Sequence, residues 1–249
     1  MTPHPHHSGE TAAFWSGHAN SSAMCLRMKE IGQAPDYIVH ANTGREFDLV
    51  YEYMEKFEKI IGVEVIKEDI AALKPQYAFI DFFNTPWCRG NREGEIHGFP
   101  KRCGKCWHNR NVKQPVFEKY ERLCRETYTG FTVQERHRIL KQRPEKRYPL
   151  IEWQWTAKDS LAYLRKRGIP HIIYDMGFER LGCDLCPKQS DSALKIIFQN
   201  FPDLWDELLQ LEQKSPTGFR DTSKEKSLEE LQNMWEKDTT QRTFAGATQ

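Results

Sequence analysis

The sequence lacks an excess of either charge: 36 Lys and Arg stand against 35 Asp and Glu, a formal net charge of +1. No global field draws such a chain to nucleic acid or to an anionic membrane, so any anion site must be local. It also lacks any apolar run near the roughly 20 residues that a membrane-spanning helix needs. The stretch from Met1 to Glu10 is rich in His and Pro and has no apolar signal core. A cytoplasmic protein that does not enter the membrane is the expectation. Internal repeats are absent too, which excludes solenoid architectures. What the cysteines lack is an even number. There are seven, and four of them fall in two C-x-x-C pairs, a usage that points to metal or redox chemistry in a reducing compartment rather than to structural disulfides.

At 249 residues the chain suits one α/β domain with an appendage. Thr11 to Trp15 reads as a strand, Ser16 to Ser22 as a polar turn and Ala23 to Ile31 as a helix. Tyr37 to Ala41 is a second strand. Phe47, Val50, Tyr51, Met54, Phe57 and Ile61 then recur at helical spacing, and Val63 to Ile66 follows as a third strand. Strands that alternate with helices favour a doubly wound, mostly parallel sheet. From about Asp69 to Arg102 the pattern reads as a long functional loop. Lys113 to Arg125 is an expected helix, Tyr128 to Thr132 a strand and Tyr148 to Trp153 another strand. Thr156 is placed to cap a helix that runs through Arg167. Leu194 to Leu211 carries a broad apolar stripe, and Ser227-x-x-Glu230 is a capping-box signature. The expected division is a nucleotide-binding domain over 11–190 and a helical extension over 191–249, with a frayed end from Thr239.

A strand feeding a Ser/Gly/Asn-rich turn into a helix N terminus offers backbone N–H donors to an anion, commonly a phosphate. Ser16, Gly17, His18, Asn20, Ser21 and Ser22 supply that turn. The string Phe14 to Met24 resembles the degenerate PP-loop of the phosphoadenosine phosphosulfate (PAPS) reductase family, within the adenine nucleotide alpha-hydrolase-like superfamily. His40 to Phe47, containing Asn42, Thr43 and Gly44, is similar to that family's strand ending in an apolar-x-x-T-G-x-x-F pattern. Pro149-Leu150-Ile151-Glu152-Trp153, Tyr163-Leu164, Gly168-Ile169-Pro170 and Tyr174 to Cys183 resemble its P-L-x-x-W, Y-L, G-I-P and Y-x-x-G-F-x-R-x-G-C series in order and spacing.

The resemblance spans about Thr11 to Pro187. It implies a Rossmann-like fold of the adenine nucleotide alpha-hydrolase type and an enzyme of sulfur metabolism acting on ATP, adenylyl sulfate (APS) or PAPS. Two reactions are implied: sulfonucleotide reduction, or ATP-dependent sulfur transfer to an acceptor such as nucleic acid. An electron- or sulfur-donor protein and a homo-oligomeric state are further expectations. The chain departs from its relatives at informative places. His18-Ala19-Asn20-Ser21 replaces the G-K-D-S of the ATP-pyrophosphatase branch and removes its Lys and Asp. No cysteine follows Cys186, where thioredoxin-dependent reductases carry an E-C-G-L-H nucleophile. Thr132 stands where the family's G-I-R-x-x-E segment has Arg, with Arg136 or Arg138 as substitutes.

Cys103, Cys106, Cys183 and Cys186 supply four soft ligands for zinc or an iron–sulfur cluster. Arg102 to Pro115 looks like the cysteine-plus-basic segment of iron–sulfur adenylyl-sulfate reductases. That likeness implies a [4Fe–4S] cluster, with zinc as the alternative. Arg180, close before the second pair, resembles a family position that faces the substrate anion. Cys88, beside Arg89, is a candidate sulfur carrier, whereas Cys25 and Cys124 read as small buried hydrophobes on helices. Arg89, Arg92, Lys101, Arg102, Lys105, His108, Arg110 and Lys113 form a basic cluster interleaved with Trp87, Phe99 and Trp107. They suit phosphate, sulfate or RNA contact, or equally a solvated loop. The rival reading is a noncatalytic nucleotide-binding module with a structural four-cysteine metal site.

Overall fold

The computed structural model describes residues 8–102, 104–139, 143–220 and 225–246. Its centre is a five-stranded, wholly parallel sheet in the order β3-β2-β1-β4-β5. Strand β1 is Ser8–Phe14, β2 Tyr37–Asn42, β3 Val65–Asp69, β4 Cys124–Thr129 and β5 Lys146–Arg147. Phe14 lies opposite Val39 on one side and Thr129 on the other. The chain builds outward from β1 through β2 to β3 and then crosses to β4, so strand order reverses beside β1. That is the switch point at which open α/β sheets form a crevice at their carboxyl edge.

Parallel strands require crossovers, and helices supply them on both faces. Helix α1 is Ala19–Glu30 and α2 is Asp48–Ile61. In α2 the apolar positions fall on one stripe, and Val50, Met54, Phe57 and Ile61 are buried against Trp15, Met24 and Ile38. Each such side chain contributes roughly 1.5–3 kcal/mol of transfer free energy. Ala12, Phe14, Val39 and Ala41 point to the opposite face, where Val116 and Tyr120 of α5 (Gln114–Leu123) cover them. The expected doubly wound α/β fold is what the structure shows.

The region read as a long loop after β3 is more ordered than its composition suggests. It holds two short helices, α3 (Ile70–Leu73) and α4 (Phe79–Asn84), with a 3-10 turn at Pro75–Tyr77 between them. A small loop follows, pinned by bridges Pro86↔Ile96 and Trp87↔Glu93. Phe79, Phe83 and Phe99 anchor it in the core. Tyr148 to Trp153 is not a strand. Only Lys146–Arg147 pairs with β4, and Pro149 opens a helical turn, α6 (Pro149–Glu152), because its fixed φ suits a first helical position. Cys124 begins β4 rather than lying on a helix.

Thr156 caps α7 (Ala157–Lys166) through a capping box with Asp159, as its spacing predicts. A short helix, α8 (Ile172–Asp175), follows. The apolar stripe after Pro187 is divided by Phe201 and Pro202 into α9 (Asp191–Asn200) and α10 (Pro202–Lys214). Ser227 and Glu230 cap each other's backbone N–H at the start of α11 (Leu228–Gly246), which continues past the expected fraying point. Trp205, Leu208, Leu231 and Trp235 join the same core cluster as Phe47, Phe178 and Leu185. Among the described residues no helix is long and apolar enough to cross a membrane.

Candidate functional site

The turn from β1 into α1 sits at the switch point. Gly17 has φ +76, and a Cβ there would lie 2.7 Å from Met54 Sδ and 3.1 Å from Val50 Cγ1, so glycine alone lets the turn lie against α2. Its carbonyl accepts from His171 Nε2 at 2.9 Å. The serine side chains build the turn itself. Ser16 N–H donates to Ser21 Oγ (3.1 Å), the two hydroxyls are 3.0 Å apart, and Ser21 Oγ also donates to the His18 carbonyl (3.1 Å). Trp15 Nε1 donates to Ser22 Oγ at 2.8 Å. Ser21 and Ser22 therefore shape the cradle rather than line it. His18 at the N-cap makes no side-chain cap bond. The first-turn N–H groups of Ala19, Asn20 and Ser21 have no intrahelical acceptor, and Asn20 is half-buried at the rim.

Gly130, at the end of β4, closes on this turn from the other side. A Cβ on it would stand 2.9 Å from Ser21 Cα and 3.1 Å from Ser21 N, both backbone atoms that cannot swing away. Asn42, Thr43 and Gly44 end β2 beside the cradle. Asn42 Oδ1 accepts from Gly44 N (3.0 Å) and Tyr51 Oη (3.0 Å), while its amide donates to Asp69 Oδ2 (2.7 Å). Gly44 is exposed.

Under these loops lies a buried ionic centre that the motif reading did not assign. Glu46, with a fully buried side chain, accepts from Lys113 Nζ (3.3 Å), Thr43 Oγ1 (3.2 Å) and His18 Nε2 (3.3 Å). Burial alone would raise its carboxyl, but Lys113 and His18 outweigh it and hold the group well below the ordinary carboxylate range. Lys113 is held charged in return: burial would lower it, and Glu46 and the neighbouring cysteines more than reverse that. His40 is also buried, with Nδ1 3.0 Å from the Trp15 carbonyl and Nε2 unpartnered. Lys113 ends the Asn109–Lys113 π turn, whose widened geometry commonly marks functional positions.

The second cysteine pair adjoins the same centre. Arg45 Nε donates to Asp184 Oδ1 (2.9 Å), its Nη2 donates to Glu207 Oε2 of α10 (2.7 Å), and Asp184 N–H donates to the Arg45 carbonyl (3.0 Å). Burial outweighs Arg45 and pushes the Asp184 carboxyl up to about 6. Burial raises the Cys183 and Cys186 thiols, with Lys113 opposing it at Cys183 and the Lys188 backbone N–H at Cys186. Cys106 is near enough to raise Cys186 further. Lys188 Nζ donates to the Gly104 carbonyl at 2.9 Å, tying the two C-x-x-C segments together. Cys103 lies outside the described residues. Among the described residues no three His, Cys, Asp or Glu side chains converge as a metal site. Cys106, Cys183 and Cys186 are soft sulfur donors of the kind that zinc and iron–sulfur clusters take.

Arg180 is exposed, and its charge reaches the Cys186 thiol. Cys88 is exposed in the loop between Pro86 and Ile96, and no described contact links it to the cradle. The basic cluster of the sequence does not form one patch. Arg92 pairs with Glu95 and Arg102 with Glu225, Lys113 is consumed by Glu46, and His108 is buried with both ring nitrogens unpartnered. Phe99 packs edge-on to Phe83 and Phe219, and Trp107 packs on Phe79 and Phe82, so neither is a free stacking platform.

No family model matches the chain. It is 24% identical over 198 residues to the uncharacterized protein MJ0066 of Methanocaldococcus jannaschii, which covers 78% of this chain and 39% of that protein. It is 23% identical over 198 residues to MJ0973 of the same organism, covering 77% and 45%. The chain thus spans less than half the length of these curated relatives. Among solved structures it resembles the phosphoadenylyl-sulfate (PAPS) reductase of Candida auris in its phosphate complex, with TM-score 0.46, 12% identity, and coverage of 70% of this chain and 81% of that one. That likeness is too distant to bear on function.

Proposed function

We propose that the chain binds an adenine nucleotide in the crevice between the β1–α1 turn and the ends of β2 and β4, and that it acts in sulfur metabolism. The reaction is either reduction of a sulfonucleotide or ATP-dependent sulfur transfer. What carries this reading is the convergence at one switch point of a glycine-dependent turn whose first helical N–H groups lack intrahelical acceptors, the Glu46–Lys113 pair, and the Cys183/Cys186 loop. Of the strings resembling the PAPS reductase family, Phe14 to Met24 and His40 to Phe47 fall on the β1–α1 turn and the end of β2, and Tyr174 to Cys183 leads into the cysteine loop.

In this reading backbone N–H groups at Ala19 and Asn20 hold the nucleotide's phosphate, and Arg180 provides a guanidinium suited to an oxyanion. Cys106, Cys183 and Cys186, with Cys103, would hold a [4Fe–4S] cluster or zinc. A cluster would supply electron transfer or electrostatic tuning of the bound sulfur group; zinc would lock the two segments together. The exposed Cys88 is the thiol that would carry sulfur if transfer runs through a protein persulfide.

The test is anaerobic incubation of metal-replete protein and a reductant with ATP, APS and PAPS in parallel, followed by chromatography of the nucleotides. Sulfite with the sulfate-free nucleotide assigns reduction; AMP with pyrophosphate assigns sulfur transfer. One observation favours a noncatalytic module instead: His18, which stands in the region of the missing Lys and Asp, is turned inward onto Glu46. Nucleotide binding with no product from any substrate, with and without a nucleic-acid acceptor, would establish that alternative.

A further inference from the structure

A second cleft opens beside β5, on the far side of β4 from the cradle. Its volume is about 510 Å³, within the range of small-ligand sites. Arg136, Arg143, Lys146, Arg147, Tyr148 and Gln154 line it, with Glu152 as the acidic group on its wall. The cations are not equivalent. Lys146 is paired with Glu121, and Arg147 is held by Glu152 (2.7 and 2.6 Å) and Glu126. Among the described residues, neither Arg136 nor Arg143 has a carboxylate partner.

Two guanidiniums with no carboxylate partner among the described residues line one concave wall in a chain whose net charge is only +1, and paired Arg side chains suit bidentate contact with phosphate. The wall between them is fixed. Phe131 stacks parallel on Tyr148 at 5.7 Å and 10°, and Arg138 caps the other face of that pair 4.2 Å from the Phe131 ring. Gln154 is the one non-glycine residue with positive φ (+58) among the described residues. Its backbone N–H and side-chain amide both donate to the Ile151 carbonyl (3.1 and 2.8 Å), which holds the strained residue in place. Such strain concentrates at binding sites.

We propose that this cleft binds a nucleoside phosphate unit, with its phosphate on Arg136 and Arg143 and its base beside Tyr148. The unit is either a free nucleotide or one residue of a polynucleotide. The inference goes beyond the cradle reading and does not depend on it: Arg136, one of the two residues expected to replace the family's anion-binding Arg, lines this cleft.

Equilibrium dialysis of the full chain with labelled AMP and, separately, with a 5′-phosphorylated single-stranded tetranucleotide tests it. The proteins compared are wild type, R136E/R143E, the neutral control R136Q/R143Q, and the cradle variant Gly17→Val. The expected result is at least a tenfold weaker affinity in R136E/R143E, a smaller loss in the neutral pair, and retained cleft binding in Gly17→Val. The logarithmic salt dependence should also fall by about one phosphate contact or more. A loss confined to the tetranucleotide assigns the polynucleotide as source, and a loss of AMP assigns the free nucleotide. Unchanged affinity for both ligands in R136E/R143E, with circular dichroism matching wild type, overturns the cleft. So does failure of wild type to bind either ligand, whereas loss of all binding in a Gly17→Val protein whose circular dichroism matches wild type leaves the cradle standing and overturns only the second site.

Discussion

Lys113 Nζ lies 3.3 Å from Glu46 Oε1, joining two residues 67 positions apart beneath the β1–α1 turn. Glu46 is wholly enclosed, so its charge has no water to fall back on. Lys113→Met should therefore destabilise the protein by about 3 kcal/mol, the scale for stranding one partner of a buried pair. Replacing both residues, as in Glu46→Leu with Lys113→Met, should recover most of that loss. Urea unfolding of the two single variants and the double measures the coupling, and strict additivity would refute it.

Gly130 offers a sharper probe of the crevice. Its Cβ-free approach to Ser21 leaves no room for a methyl group, and both facing atoms are backbone. Gly130→Ala should displace the first turn of α1 and weaken adenine-nucleotide binding at least tenfold, with a smaller loss of stability. Calorimetric titration with ATP, APS and PAPS reads the affinity. Equal affinity in the variant would mean that the nucleotide does not use that helix end.

The pH dependence of stability should carry a signature of His171. This ring is buried, stacked 3.9 Å from Tyr53 and bonded to the Gly17 carbonyl, and burial lowers it from 6.5 to about 4, with the nearby His18 adding to the effect. The folded state thus binds the proton less readily than the unfolded chain. The stabilisation is fully present above pH 6.5 and is lost as pH falls towards 4, by up to about 3 kcal/mol. His171→Gln keeps a donor and removes the titration, so its unfolding free energy should fall less over that window. His40, also lowered by burial, leaves a residual slope in both proteins.

Metal content discriminates between the two roles of the cysteines. Anaerobically purified protein should carry about four irons, or else one zinc, per chain. Cys186→Ser should lose that metal and lower the melting temperature, while Cys25→Ser, remote in α1, should retain it. Equal metal in wild type and Cys186→Ser would remove the second C-x-x-C from the ligand set.

The α/β alternation was legible because α2 separates its polar and apolar faces cleanly. Helix α1 was harder. Its buried residues include Ala19, Ser21 and Ser22, enclosed by α2, α6 and α7, so its first turn reads as polar loop although it is helix. The strand expected at Tyr148 to Trp153 failed for a related reason: Leu150 and Ile151 are apolar because they are buried, not because they are extended. Of the site, the cradle turn was visible as a local string. The Glu46–Lys113 pair was not, since each half resembles an ordinary charged loop residue until the fold brings them together. The signal available was Glu46 standing three residues after Thr43 at a strand end, where a carboxylate can fold back on the loop.

Arg45 makes the C-terminal helices part of the site's mechanics. One guanidinium grips both Asp184, inside the second C-x-x-C, and Glu207 on α10, while Phe47 beside it packs on Phe178 and Phe201. The tail therefore works as a buttress. A ligand that shifts α10 acts on the cysteine loop through that side chain as well as through the shared core, and a version of this protein cut at the expected boundary near residue 190 would leave Arg45 one carboxylate partner instead of two.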